Sequence, residues 1–186
     1  MKNNQYIILG QSVFCIDKIK LVAVNYSHIL QIKKWRNEQI KFLRQKTLIT
    51  DKDQIEYYNQ VIKPSFLDTK PKQILFSIIE DNYLIGYCGL VHIDWFSRNA
   101  ELSFLLETKL YSDQDQYFEK FSSFLKMIQQ IAKNIGLHKI YTYGYDVSCY
   151  RFKPLISQKF TKEANLVDHV LVDNKLTNVL IYSKII

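Results

Sequence analysis

Between Gln116 and Asn134 the apolar residues Tyr117, Phe121, Phe124, Ile128 and Ile131 fall at i, i+4, i+7, i+11 and i+14. That spacing is one continuous face of an α-helix, and Gly136 stands where such a helix ends. A face so broad and aromatic needs an apolar layer to cover it. The layer is written just upstream. Gln73 to Glu80, Tyr83 to Asp94 and Ala100 to Leu106 are apolar runs separated by Asp81-Asn82 and by Phe96-Ser97-Arg98-Asn99. Short polar breaks between such runs predict an antiparallel meander. Gly86 and Gly89 interrupt the second run, where a missing side chain signals a bulge or a close backbone approach.

The remaining elements surround this unit. Leu21 to Val24 reads as a first strand, and His28 to Asn37 as a helix with Ile29, Ile32 and Trp35 about a turn apart. Thr50 and Asp53 make a capping box for a helix carrying Ile55, Tyr58 and Ile62, expected to stop before Pro64. Lys139 to Tyr145 reads as a strand, and Ser148 to Gln158 as a short helix limited by Pro154. Phe160 to Val172 and Leu176 to Ile185 form a hairpin across Asp173-Asn174. The order β-α-α-β-β-β-α-β-α-β-β predicts one α/β (α+β) domain over residues 20–186, behind an extension of residues 1–19. A chain of 186 residues is the length of one domain.

Composition narrows the function classes. The 25 Lys and Arg against 18 Asp and Glu leave a net charge of +7, scattered rather than clustered. Such a charge suits either an anionic ligand or a solvated surface. The 13 Tyr and 11 Phe lack the glycine-flanked aromatic motif of an RNA-binding sheet, so no nucleic-acid partner is expected. No apolar run reaches the roughly 18 residues of a membrane helix, and Met1 to Leu9 lacks the features of a signal peptide. A cytoplasmic protein without a membrane partner is the expectation. Cys15, Cys88 and Cys149 are widely spaced, and His28, His92, His138 and His169 are dispersed, so no disulfide framework or metal site is expected.

Several segments in this order resemble the GNAT superfamily of acyl-CoA-dependent N-acyltransferases, in the branch that acetylates amino sugars and ribosomal-protein N-termini. They are Trp35-Arg36-Asn37 with Arg44, Ile85 to Leu90, Ala100 to Phe104, and Leu155 to Phe160 followed by Glu163, His169 and Asn174. The resemblance runs from about Lys20 to the C-terminus. It implies the GNAT fold, with acetyl-CoA as co-substrate and direct transfer to a primary amine. A nucleotide-linked amino sugar for surface polysaccharide is the favoured acceptor. A protein N-terminus or lysine is an alternative, and so is a non-catalytic binding module. A homodimer also stays open.

One departure stands out. The family binds the CoA diphosphate on a glycine-rich loop opening the long helix, where bare amides face the anion. Here that stretch is Tyr111-Ser112-Asp113-Gln114-Asp115-Gln116-Tyr117, without glycine and with two acids. Ser112 and Asp115 have capping-box spacing, so these amides are either satisfied by the protein or joined by Gln114, Gln116, Tyr117 and Phe118 in holding the diphosphate. Lys159 replaces the family's Gly, and Leu155 replaces a Tyr that serves as acid in many members.

The resemblance also assigns roles. Phe104, Leu105 and Leu106 lie along the acetyl-CoA strand, with an amide near Leu105 or Leu106 as oxyanion donor. An alkyl amine with a pKa of about 10 must lose a proton before attack. Glu101 is the first candidate base and His92 the second, oriented by Asp94 if alternation places both on the face of Leu90. Tyr150 is the candidate acid, with Tyr143 and Tyr145 as competitors. Arg36 and Arg44 would take an anionic acceptor, with Trp35 either stacking on it or packing in the core.

Overall fold

The computed structural model describes residues 4–186. They form nine strands: β1 (Val13–Ile16), β2 (Ile19–Ala23), β3 (Ile74–Glu80), β4 (Tyr83–Asp94), β5 (Asn99–Leu106), β6 (Lys139–Tyr141), β7 (Gly144–Tyr145), β8 (Thr161–Val172) and β9 (Lys175–Ile185). The strands make one sheet in the order β1-β2-β3-β4-β5-β6-β9-β7, with β8 paired to β9. Every pairing is antiparallel except that of β5 with β6. The mixed, mainly antiparallel sheet expected from the sequence is the one observed.

The helices are α1 (Ile29–Glu38), α2 (Asp51–Tyr57), α3 (Lys63–Ser65), α4 (Gln114–Asn134) and α5 (Lys153–Ser157). The whole α4 stripe is buried. Phe104 of β5 stacks on Phe121 at 4.2 Å between ring centres and on Phe124 at 5.2 Å, fastening the helix to the sheet. Each such pair adds about 0.5–1.5 kcal/mol beyond area burial. Gly136, at φ 80°, ends the helix as expected. None of the described helices is long and apolar enough to cross a membrane.

Four local expectations need correction. A strand precedes Leu21: β1 pairs with β2, and Tyr6 is buried with its hydroxyl bonded to both Leu75 backbone groups. From Asn4 onward the expected extension therefore packs on the same sheet. The second helix does not stop at Pro64 but runs through a π turn, Tyr58–Ile62, into α3. Pro64 follows the π turn directly, inside this continuous helical run and one residue before its end at Ser65. Lys139 to Tyr145 is two strands rather than one. The Thr142 hydroxyl accepts the Tyr182 amide and takes a ladder position, separating β6 from β7. Last, the α4 cap is not Ser112 but Asp113, which reaches the amides of Asp115 and Gln116; Ser112 Oγ donates to the Lys109 carbonyl.

Two features shape the site. A Cβ at Gly86 would lie 2.5 Å from the Leu105 carbonyl oxygen, so only glycine lets β4 approach β5 this closely. β6 pairs with β5 only at Asn99, Ala100 and Glu101, ending at Tyr141 while β5 continues to Leu106. The two strands part there and leave a wedge.

Candidate active site

The wedge opens into a cleft of about 500 Å³. Its walls include Leu102, Ser103, Phe104 and Leu105 of β5, Thr142 to Tyr145 beyond β6, and Phe152 and Leu155 around the start of α5. The connection between α1 and α2 closes one side with Phe42, Leu43, Arg44 and Gln45.

β5 offers backbone donors to this space. The Glu107 amide donates to the Ile85 carbonyl, and Tyr87 faces Leu105 in the register. Alternation along an antiparallel ladder then turns the Leu105 amide toward β4 and the Phe104 and Leu106 amides toward the wedge. Leu106 lies outside the cleft lining, and on that side its carbonyl accepts from Gln39 Nε2 at 2.9 Å. Phe104 is the donor left facing the cleft, in place of the expected Leu105 or Leu106.

At the point of divergence sits Glu101, with a side chain only 8% exposed. Arg44 donates to its Oε1, so Arg44 is an ion-pair partner rather than the free anion-binding group expected. Glu101 Oε2 lies 3.9 Å from His92 Nε2. The sequence placed His92 on the face of buried Leu90. Instead, the β4–β5 register shifts between Val91 and Asp94, and His92 adopts φ 51°. This bulge breaks the alternation and turns the ring out to 63% exposure on the cleft wall. Asp94 does not orient it, because Asp94 Oδ1 accepts the amides of Phe96 and Ser97.

Where α4 begins, the arrangement differs from an open anion site. Asp113 occupies two of the first-turn amides with its own carboxylate. Gln114, Gln116 and Phe118 lie outside the cleft lining, and Phe118 is exposed. Tyr117 does reach the cleft, packed against Tyr111 and Tyr150. Burial raises the pKa of Tyr111 to about 12, partly offset by nearby Arg151, and burial also pushes Tyr117 up. Both hydroxyls therefore keep their protons at neutral pH. Tyr150 is outside the lining, and its hydroxyl donates to the Tyr111 carbonyl, which argues against it as acid. Of its competitors, Tyr145 donates to the Leu43 carbonyl, whereas Tyr143 lines the cleft beneath the Arg44 guanidinium.

Arg36 lines the cleft and bonds Gln45 and the Tyr87 hydroxyl. Trp35 is a core residue, 3% exposed, because it shares the inward α1 face with Ile29 and Ile32. Residues that the sequence did not single out also enter the site: Phe42, Gln39, Tyr87 and Arg151. Arg151 lies one position after the tyrosine singled out. It sits in a 3₁₀ turn, Cys149–Phe152, whose tighter winding changes which side chains face inward.

The family described as acetyltransferase (GNAT) domain matches residues 21–143 of the chain. No curated protein matches its sequence. Among solved structures, a spermidine N-acetyltransferase from Vibrio cholerae in complex with CoA and spermine has a TM-score of 0.76 at 17% identity, covering 90% of this chain and 95% of that one. RimL, a ribosomal L7/L12 alpha-N-protein acetyltransferase in complex with coenzyme A, has a TM-score of 0.78 at 13% identity over 94% and 98% of the chains. A probable GNAT-family acetyltransferase from Chromobacterium violaceum has a TM-score of 0.70 at 9% identity, over 94% and 91%. At these identities the likeness is one of fold.

Proposed function

The chain belongs to the GNAT acetyltransferase family, and from that membership we propose that it acetylates a small primary amine bearing an anionic group, with a nucleotide-linked amino sugar as the acceptor that fits best. The family makes it an acyltransferase that uses acetyl-CoA as co-substrate. Acetyl-CoA supplies the acetyl group as an activated thioester.

The protein's part follows from the wedge. Its apolar walls, Leu102, Phe104, Phe152 and Leu155, suit an extended acyl-carrying arm. The Phe104 amide faces the space where negative charge would develop on the thioester oxygen, and a preorganised donor of this kind is worth a few kcal/mol. Glu101 takes the proton of the attacking amine, directly or through a water shared with His92. Arg44 holds the carboxylate in place and leaves Oε2 available. Tyr143, on the same wall, is the candidate to return a proton to the leaving thiolate.

The observation that carries the reading is the nearly buried Glu101 carboxylate at the divergence of β5 and β6. Acceptor charge is read from the walls. Among the cleft-lining residues Glu101 is the sole carboxylate, against Arg36, Arg44 and Arg151. Such a surface attracts an anion and disfavours a polyamine. The test follows thiol release from acetyl-CoA with a nucleoside-diphosphate-linked amino sugar and with spermidine. Turnover of the first and none of the second is expected; the reverse preference would overturn the acceptor assignment.

A further inference from the structure

Among the described residues, Arg151 is a cleft residue whose guanidinium has no hydrogen-bond or ion-pair partner. Its guanidinium carbon lies 4.2 Å from the Phe42 ring centre and 4.8 Å from that of Tyr111, so the group is held by two aromatic rings from two different loops. Among the described residues no carboxylate lies within ion-pair distance of it, and its Nε is buried without a hydrogen-bond acceptor. Other cations have side-chain partners: Arg44 is paired with Glu101, the buried Lys120 with Glu80, and Arg36 bonds Gln45 and the Tyr87 hydroxyl. Ring contacts restrain the guanidinium while leaving its N–H groups free for an oxyanion, which their forked geometry suits.

The need for such a group is visible nearby. Tyr111 leads into the first turn of α4, where Asp113 already occupies the amides of Asp115 and Gln116. A diphosphate entering this end of the cleft finds those donors taken and a carboxylate beside them. Arg151 is the uncommitted cation within reach of Tyr111.

We propose that Arg151, clamped between Phe42 and Tyr111, is the diphosphate-binding residue of the cleft, standing in for the amides that Asp113 blocks. The proposal rests on the acetyltransferase reading for its ligands. The diphosphate belongs either to acetyl-CoA or to a nucleotide-linked acceptor.

Calorimetry on the full chain separates these sources. The wild-type protein, Arg151→Ala and the milder Arg151→Lys are titrated with inorganic diphosphate, acetyl-CoA and S-acetylpantetheine, which lacks the diphosphate. Arg151→Ala is expected to weaken diphosphate binding about tenfold or more, and Arg151→Lys less, with S-acetylpantetheine unaffected. A matching loss for acetyl-CoA assigns Arg151 to the donor. Unchanged acetyl-CoA affinity with an about tenfold higher KM for the nucleotide-linked amine assigns it to the acceptor. Equal binding of diphosphate, acetyl-CoA and nucleotide-linked amine by all three proteins would overturn the proposal. Wild-type protein that binds diphosphate through Arg151 but never binds acetyl-CoA would sink the acetyltransferase reading alone.

Discussion

Arg44 donates to Glu101 Oε1 across 57 positions of sequence, tying the loop after α1 to the point where β5 and β6 separate. One carboxylate oxygen is thereby fixed, and the other is turned toward His92. Glu101→Gln keeps the shape and can still accept from Arg44, yet cannot take a proton from an amine. Turnover is expected to fall by about 10²–10⁴ with acetyl-CoA affinity unchanged. Steady-state kinetics beside calorimetry checks this, and unaltered kcat would remove Glu101 from the reaction.

Asp113 both caps α4 and guards its amides. Asp113→Ala is expected to lower stability by about 0.5–2 kcal/mol in urea denaturation. The same change frees the Asp115 and Gln116 amides and removes a negative charge, so acetyl-CoA should bind more tightly. Weaker binding would show that the carboxylate does not oppose the diphosphate.

Lys159 holds φ 61° at the exposed turn after α5, the position where the family resemblance expects Gly. A left-handed conformation costs a residue with a Cβ about 1–2 kcal/mol, against roughly 0.5–1 kcal/mol of extra chain entropy for glycine. Lys159→Gly is expected to raise the thermal midpoint slightly. A clear fall would mean that the lysine side chain contributes contacts that outweigh its backbone strain.

His28 places Nδ1 2.8 Å from Ser77 Oγ, and burial lowers its pKa. The unfolded chain takes up this proton at about pH 6.5, while the folded chain resists until lower pH. The contribution to stability is therefore complete above that pH and is lost as pH falls through the folded pKa. Denaturation at about pH 7.5 and about pH 5.5 should show a smaller loss in His28→Gln than in wild type. An equal loss in both would assign the acid sensitivity to other groups.

The fold was legible wherever periodicity was long. The α4 stripe, the meander and the closing hairpin all form, with Asp173 and Asn174 at φ 48° and 62° making the turn between β8 and β9. Of the site, Glu101, His92, Phe104, Leu105, Tyr117, Arg36 and Arg44 line the cleft. Alternation could not foresee the bulge that turns His92 outward, because one inserted residue reverses every later side chain. Ser112, Asp113 and Asp115 are all competent near a helix start, and only the backbone path decides which one caps. The Arg151 position depended on a 3₁₀ turn and on Phe42, far away in sequence. Such contacts leave no local pattern to read.

The wedge between β5 and β6 is expected to accept acetyl-CoA although Asp113 already caps the first turn of α4. Titrating the full chain with acetyl-CoA in a calorimeter tests it directly. Saturable heat with one molecule bound per chain is the result expected. No heat at millimolar acetyl-CoA, with the protein folded throughout, would contradict the claim.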